Sequence, residues 1–576
     1  MKPVRLPAAA TRALPRWGLF ALALLYILPG LIGRDPWKSD DATGFGIMWS
    51  MAHGGLDDWL WPHVAGLKMS TEGPLAYWIG ALCIKLFGWA LGDVLAARVA
   101  IVGFFLLGSL SLWYATYLLG RRSEAQPLIL AFGGQPEARD FGRTLADGAF
   151  LIYLGCLGLL LHSHQANAMG LQVSLVAFSL FAAVRLFDVG TAAGTPRSGV
   201  LLGLGFGALI LTRGWVVPFG LWLGLLVLAA VRQRNVLSRL LLITAPLALL
   251  IGASWPLANH LLQPFGGSPF TQWMAWNSRQ LNWPSWEALS YLLKYEIWFA
   301  WPAWPFAAWA VYAWRRQHAA LHISLPLTFF GALTILAWLN VHSEEGILLP
   351  LLPPLAVLAA FGLPTMKRGA INAVDWFSVM TLTACAGFIW IGWIAKETGW
   401  PAQIAKNAFK LAPGFKPEFN LIAVAVAAAA SAGWILLVHW RIARRPAVLW
   451  RAVVLSSGGV ILCWLLLMTL WLPWINYGKS YAGVAEQIRL KLPAGVQCVD
   501  SNVGASQRAS FAYFGGVRFA TTENSRCNYL LLQNRNDRPD DSALLKQFSG
   551  QWNLLWEGHR PSDRDERFRL YQRAGS

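Results

Sequence analysis

Charge is scarce in this chain. Asp, Glu, Lys and Arg make up 13% of its 576 residues and hydrophobic residues 56%, where a soluble domain carries about 25% charged residues. That balance excludes an ordinary soluble domain and a disordered chain, and it describes a polytopic membrane protein. Familiar chemical signatures are missing as well. No Walker A sequence, no His-Glu-x-x-His and no Cys-x-x-Cys occurs, which leaves no P-loop nucleotide pocket and no zinc site of a familiar type. The nearest thing to a dinucleotide fingerprint, "GLGFGA" with Gly203, Gly205 and Gly207, lies inside an apolar run without a preceding strand. It reads as small-residue helix packing.

Acids are in the minority, with 29 Asp and Glu against 47 Lys and Arg. The basic residues fall in short clusters between apolar runs and form no stripe along one face, so they argue for membrane topology and against nucleic acid as a partner. Apolar stretches near the ~20 residues needed to cross a bilayer recur from Trp17 to about Trp471, many ending in Trp or Tyr.

The first run follows Lys2, Arg5, Arg12 and Arg16 but no small-residue cleavage site follows it, so it reads as a retained anchor with its N-terminus in the cytoplasm. Thirteen spans are expected, at 17–33, 95–119, 144–162, 166–187, 197–211, 214–231, 236–260, 291–314, 320–340, 346–364, 372–395, 418–439 and 449–472. A fourteenth candidate, 74–91, is interrupted by Lys85 and Gly88. With thirteen spans, Arg121 and Arg122, Arg185, Arg232 and Arg234, Arg315 and Arg316, Lys367 and Arg368, and Arg441, Arg444 and Arg445 all fall in the cytoplasm. Counting the fourteenth reverses every one of them. The segment 74–91 is therefore expected as an amphipathic or half-embedded helix at the outer face, with everything after Leu472 outside.

On this topology a set of polar residues gathers at the outer side. "RDPWKSDDATGF" (34–45) places Asp40 and Asp41 at the start of a long first outer loop, 34–94, that also holds Asp57, Asp58 and Glu72. His162 and His164, Arg213, Asn277 and Arg279, and His342, Glu344 and Glu345 fall in later outer loops. Carboxylates, imidazoles and guanidiniums converging on an apolar surface suit a charged, membrane-bound substrate, although each residue alone also reads as a solvated loop end. The pair in "HSHQ" (162–165) offers metal ligands, but reads more simply as hydrogen-bonding residues at a helix end. Without a nucleotide pocket, an activated substrate is expected to arrive already attached to lipid.

"PWKSDDATGF", "STEGPLAYWIGALCIKLFG" (70–88), "ILTRGWVVPFGLWL" (210–223), "WMAWNSRQL" (273–281) and "ILLPLLPPLAVLAAFG" (347–362), in that order, resemble the membrane glycosyltransferases of the GT-C fold. The likeness is to the bacterial aminoarabinose transferase and protein O-mannosyltransferase superfamily. It implies a transmembrane glycosyltransferase domain over 1–473 that moves a sugar from a polyprenyl-phosphate donor to an acceptor at the periplasmic face of the inner membrane. The acceptor would be a glycolipid, as in lipopolysaccharide modification, a polysaccharide or a protein.

By that resemblance Asp40 is the catalytic carboxylate, the general base of an inverting transfer, and Asp41 its neighbour. A base is what a weakly nucleophilic hydroxyl needs, while either Asp would also serve at the start of a helix near Ala42. Glu72 aligns with an acid that relatives use to orient the site or hold a divalent metal, the one cofactor the resemblance suggests. Arg213 matches a basic residue suited to the donor phosphate, and Arg279 offers a second anion contact. Three positions depart from the family pattern: Gly73 where relatives carry Lys or Pro, Asn277 where some carry His, and Glu344 and Glu345 where Lys or Arg is common.

Past Pro473 the chain turns polar, and 474–576 reads as a soluble periplasmic α/β domain. Helices are expected near 480–491 and 505–514, and strands near 495–500, 517–521, 528–533, 553–557 and 567–572. Cys83, Cys156, Cys385 and Cys463 lie in apolar segments and read as packing residues. Cys498 and Cys527 share the outer domain, where an oxidising compartment permits a disulfide. Two other classes fit the same outline. A lipid-linked sugar transporter or flippase would place ionisable groups near the bilayer midplane, and an inactive glycan- or partner-binding relative would scatter Asp40, Glu72 and Arg213 instead of gathering them in one cavity.

Overall fold

A computed structural model describes the chain apart from residues 1–3, 12–13, 70–71, 130–132, 189–195, 263–268, 341–344, 445–447, 494, 521–526, 536–540, 546–547, 549, 564 and 575–576. Among the described residues, eight helices are long and apolar enough to cross a membrane. They lie at Asp93–Arg121, Ala168–Leu186, Arg234–Leu262, Leu321–Leu339, Gly346–Thr365, Gly369–Thr398, Leu421–Ile442 and Ala452–Leu470. The other five expected spans are helical but shorter, less apolar or broken. Arg16–Ile27, Pro196–Arg213 and Val216–Arg232 are single helices. The expected spans 144–162 and 291–314 are each two pieces: Ala138–Gly155 with Leu157–His162, and Trp286–Phe299 with Ala303–Ala313. The second break falls at Pro302, which has no N–H to continue a helix and whose ring crowds the preceding turn.

Leu75–Leu91 forms a continuous apolar helix. Its buried face, Ala76, Tyr77, Gly80, Ala81 and Ile84, packs against its neighbours, and Leu82, Leu86 and Trp89 are exposed. Gly80 permits that packing, because a side chain there would meet the Met48 sulfur at 2.3 Å.

The C-terminal segment expected to form the outer domain has a core of its own, built from Tyr481, Val484, Ile488, Val499, Phe511, Leu531, Phe568 and Leu570. Its strands are numbered after a short hairpin in the first loop (β1 His63–Val64, β2 Leu67–Lys68). They are β3 Val499–Ser501, β4 Tyr529–Arg535, β5 Trp552–Gly558 and β6 Glu566–Arg573, in the order β3-β4-β6-β5 with only β3 and β4 parallel. Helices Ala482–Lys491 and Ala505–Gly515 and the short Ser542–Leu545 belong to the same unit. The expected strand 517–521 is reduced to a single bridge between Val499 and Phe519. A disulfide joins Cys498 and Cys527.

Two helices bring the outer domain to the membrane region. Ala505–Gly515 lies on Asp40–His53, the helix that begins at the first acidic pair. A side chain at Gly46 would meet the Ala509 Cβ at 2.5 Å, and the Phe45 and Tyr513 rings meet edge to face at 5.0 Å. Glycine is what lets these two backbones approach so closely.

Candidate active site

The adjacent carboxylates Asp40 and Asp41 point into different surroundings. Asp41 is buried. Its carboxylate pairs with Arg34 at 3.0 Å and Arg98 at 3.6 Å, and accepts hydrogen bonds from the backbone N–H of Trp37 (3.1 Å) and Ala166 (2.7 Å). Arg98 also donates to the carbonyls of Leu31 (2.7 Å), Arg34 and Asp35 (3.0 Å). Two guanidiniums and two backbone N–H groups thus engage one buried carboxylate in a knot, the pairing that buried charge requires, while Nε and Nη1 of Arg34 are buried without a hydrogen-bond partner among the described residues. Asp40, the first residue of the helix, is exposed and accepts one hydrogen bond, from the Ser39 hydroxyl at 3.2 Å.

Asp40 lines a cavity of about 270 Å³ together with Glu72, Tyr77, Asn167, Gln172, Arg213, Trp276, Gln280 and Asn340, over an apolar floor that includes Met169, Val216 and Leu333. Three of the residues singled out in the sequence, Asp40, Glu72 and Arg213, therefore meet in one place. Glu72 stands 2.8 Å from Arg213 and accepts a hydrogen bond from the Tyr77 hydroxyl. Arg213 lies over the Trp276 ring, 5.8 Å from its centre.

The position of Arg213 follows from the local sequence. It is the last residue of Pro196–Arg213, and Gly214 ends the helix at φ +102°, a backbone conformation that glycine alone adopts readily. A side chain there would collide with the Asn277 amide at 1.9 Å. Asn277 is buried, accepts from the Trp215 N–H (3.1 Å) and donates to the Trp273 carbonyl (2.9 Å). It fixes the turn behind Arg213 and does not line the cavity. Gly73 has a packing reason too: its N–H donates to the Thr212 carbonyl at 3.1 Å, and a Cβ would meet the Leu211 carbonyl oxygen at 2.1 Å. The segment carrying Glu72 is laid directly on the helix end carrying Arg213.

The remaining sequence candidates lie elsewhere. Arg279 is exposed at the end of Pro269–Arg279 and stands off the cavity, which its neighbours Trp276 and Gln280 line instead. His162 bonds to the Gly158 carbonyl (2.9 Å) and packs on Phe299. His164 is buried between the carbonyls of Leu160 (2.6 Å) and Tyr26 (3.0 Å), against the Trp464 ring. Both rings serve packing between helices. His342 and Glu344 lie outside the described residues, as does the side chain of Glu345. Among the described residues no three His, Cys, Asp or Glu come together as a ligand set. Glu72, the sequence candidate for a metal ligand, is engaged by Arg213 and Tyr77, so the residues described do not form a site that fits a divalent ion.

Sequence reasoning missed several groups here. Arg98 had a signal, being the lone charge between Asp93 and Arg121 in an apolar run, where an ionisable residue needs a partner. Tyr77 follows Glu72 by five residues in a quoted motif. Gln280 had no signal, and its amide nitrogen is buried at the cavity without a hydrogen-bond partner among the described residues.

No protein-family model matches the chain. It is 28% identical over 365 residues to the undecaprenyl phosphate-alpha-4-amino-4-deoxy-L-arabinose arabinosyl transferase 1 of Pseudomonas fluorescens Pf-5, covering 60% of this chain and 59% of that protein. It is 26% identical over 466 residues to the corresponding enzyme of Pseudomonas paraeruginosa, covering 77% and 74%. The chain thus spans 59% and 58% of the length of the two type 1 Pseudomonas fluorescens relatives it matches. Among solved structures it superposes on ArnT from Cupriavidus metallidurans bound to undecaprenyl phosphate, with a TM-score of 0.66, 17% identity, and 96% of this chain and 97% of that one covered. The apo form of ArnT gives 0.63. The chain therefore has the GT-C fold of ArnT, and its sequence is similar to the aminoarabinose transferases.

Proposed function

We propose that the protein is an inner-membrane glycosyltransferase that moves a sugar from a polyprenyl-phosphate donor to a hydroxyl acceptor at the periplasmic face. The observation that carries this reading is the meeting of Asp40, Glu72 and Arg213 in one cavity. The names of its relatives, which specify an undecaprenyl-phosphate-linked sugar, and the undecaprenyl phosphate bound to ArnT support the donor class. The N-terminus lies in the cytoplasm and the outer domain in the periplasm.

The chemistry follows from the charges. Asp40 is the carboxylate with room beside it, and it accepts the proton of the acceptor hydroxyl as that oxygen attacks the sugar's C1. The bond from C1 to the phosphate oxygen breaks on the opposite face, so the anomeric centre inverts and the polyprenyl phosphate leaves with the bonding electrons. Arg213 offsets the charge on that phosphate through paired hydrogen bonds. Glu72 holds Arg213 in the phosphate's place, and the donor must share or displace that contact. The unpartnered Gln280 amide supplies a hydrogen bond to a sugar hydroxyl.

The acceptor is a glycolipid, as in lipopolysaccharide modification, or a polysaccharide or protein hydroxyl. A transporter would need its ionisable groups at the bilayer midplane and an inactive relative would have no need of a gathered site, so neither accounts for this cavity. The test is transfer of radiolabelled sugar from a panel of undecaprenyl-phosphate sugars into cell-envelope acceptors. Transfer by the purified wild type supports the reading and the label's destination names the acceptor. Failure with every donor, while undecaprenyl phosphate still binds, would sink it.

A further inference from the structure

We propose that Asn476 is a positioning residue for Asp40, the point through which the outer domain's elbow sets the catalytic loop. The inference rests on the reading of Asp40 as the base.

Asp40 has little holding it directly. Among the described residues its carboxylate receives one hydrogen bond, from Ser39. Where it sits is therefore decided by the backbone that leads to it, and residues 34–37 of that backbone have no regular structure. Such a segment keeps one conformation only if other groups satisfy its N–H and C=O.

Asn476 does so twice and holds one side chain of the same stretch as well. Its Nδ2 donates to the Gly33 carbonyl (2.9 Å), and its Oδ1 accepts from the Asp35 N–H (3.3 Å) and from the Trp37 indole N–H (2.8 Å). One side-chain amide thus uses three of its four hydrogen-bonding positions on a single five-residue stretch. The Asp41 knot holds the same stretch from the opposite side, because Arg98 takes the carbonyls of Arg34 and Asp35.

The place of Asn476 in the chain gives these bonds their meaning. It belongs to the short helix Leu472–Lys479, which begins two residues after the last long apolar helix ends and leads into the outer domain. Further contacts tie the loop to this region: Lys38 N–H donates to the Lys479 carbonyl (3.1 Å), Lys479 Nζ lies over the Trp37 ring (5.2 Å), and Lys38 Nζ pairs with Asp563 (3.1 Å). The ion pair is half-exposed and worth little alone. A displacement of about 1 Å at a reacting group can cost on the order of 10²-fold in rate, so an elbow that fixes this loop also fixes the rate.

The next residue supplies the control. Tyr477 sits on the same short helix, but its hydroxyl donates to the Pro413 carbonyl (2.9 Å), outside the 33–41 stretch. A residue that only stabilised the elbow would behave as Tyr477 does.

The experiment uses the full-length protein in nanodiscs. It compares wild type, Asn476→Ala, Trp37→Phe and Tyr477→Phe for steady-state transfer from the undecaprenyl-phosphate sugar that the wild type uses, and for hydrogen exchange over residues 33–45. Asn476→Ala is expected to lower kcat about tenfold, with the donor KM within about twofold, and to speed exchange at 33–41. Trp37→Phe, which removes one of the three bonds and keeps an aromatic side chain, is expected to do the same to a smaller extent and decides the matter if Asn476→Ala does not fold. Tyr477→Phe should change neither. The proposal is overturned if exchange at 33–41 rises with kcat intact, if kcat falls without that rise, or if Tyr477→Phe matches Asn476→Ala. Full transfer by Asp40→Asn, measured alongside, would instead remove the base assignment, while the exchange data would still report whether Asn476 holds the loop.

Discussion

Asp40 and Asp41 are chemically identical neighbours at the start of one helix, and the regions they face could hardly differ more. The Asp41 side is closed: the buried carboxylate is engaged by two arginines and two backbone N–H groups. The Asp40 side is open, with a carboxylate that meets one weak neighbour and a cavity whose Gln280 amide lacks a partner. Burial among paired charges makes a structural residue, and exposure at the wall of a polar cavity makes a reactive one. The closed region holds the open one in place.

The largest expected effect on stability lies in the closed region. Asp41→Asn leaves Arg34 and Arg98 buried without a counter-charge, and removing one member of a buried ionic cluster costs about 3–5 kcal/mol. Thermal unfolding in detergent should show a large drop or loss of folded protein. A stability equal to the wild type would mean that the knot is not closed by charge.

In the open region, Arg213→Gln removes a charge from the phosphate position. Loss of a hydrogen bond to a charged group is worth about 1.5–3 kcal/mol, so kcat/KM should fall roughly 10- to 150-fold, while the folded protein loses little because Glu72 keeps Tyr77. Direct binding of undecaprenyl phosphate checks this, and unchanged affinity together with unchanged kcat/KM would move the phosphate elsewhere.

The smallest effect concerns pH and the tie between the outer domain and the loop. Partial burial alone would raise the Asp563 carboxyl, but the hydrogen bond and charge of Lys38, with Arg560 beside it, hold it below the usual carboxylate range. A group depressed in the folded state adds stability above its unfolded pKa, about 3.9, and that stability is lost as pH falls through the lower folded value. Unfolding of the outer domain followed against pH should show this loss on the acid side, and Lys38→Gln should shrink it. An acid limb unaffected by Lys38→Gln would remove this contact from the account.

Much of the fold was legible because it rests on periodicity and composition. The outer domain emerged almost element by element, with β4 at 529–535 against an expected 528–533 and Ala505–Gly515 against 505–514, because short alternating strands and amphipathic helices leave a local signature. The break at Pro302 was misread as a continuous span, since the apolar run goes on across a residue that cannot continue a helix. For the site, the resemblance placed Asp40, Glu72 and Arg213, and the structure brings these three together. The resemblance already set Asp40 apart from Asp41, but only geometry shows what Asp41 does, because its partners lie 7 residues upstream and 57 downstream, at Arg34 and Arg98. Gly73 and Asn277 looked like departures from a family pattern. Each instead has a packing task, one beneath the Arg213 helix end and one behind it.

The central claim is that the open carboxylate is the base. The measurement that tests it most directly is sugar transfer by Asp40→Asn beside the wild type, in matched amounts of folded protein. The substitution keeps the side chain's shape at an exposed position, so stability should stay within about 0.5 kcal/mol, while transfer should fall about 10²- to 10⁴-fold with the loss of the base. Transfer at the wild-type rate by Asp40→Asn would contradict the account and send the search for the base to Glu72.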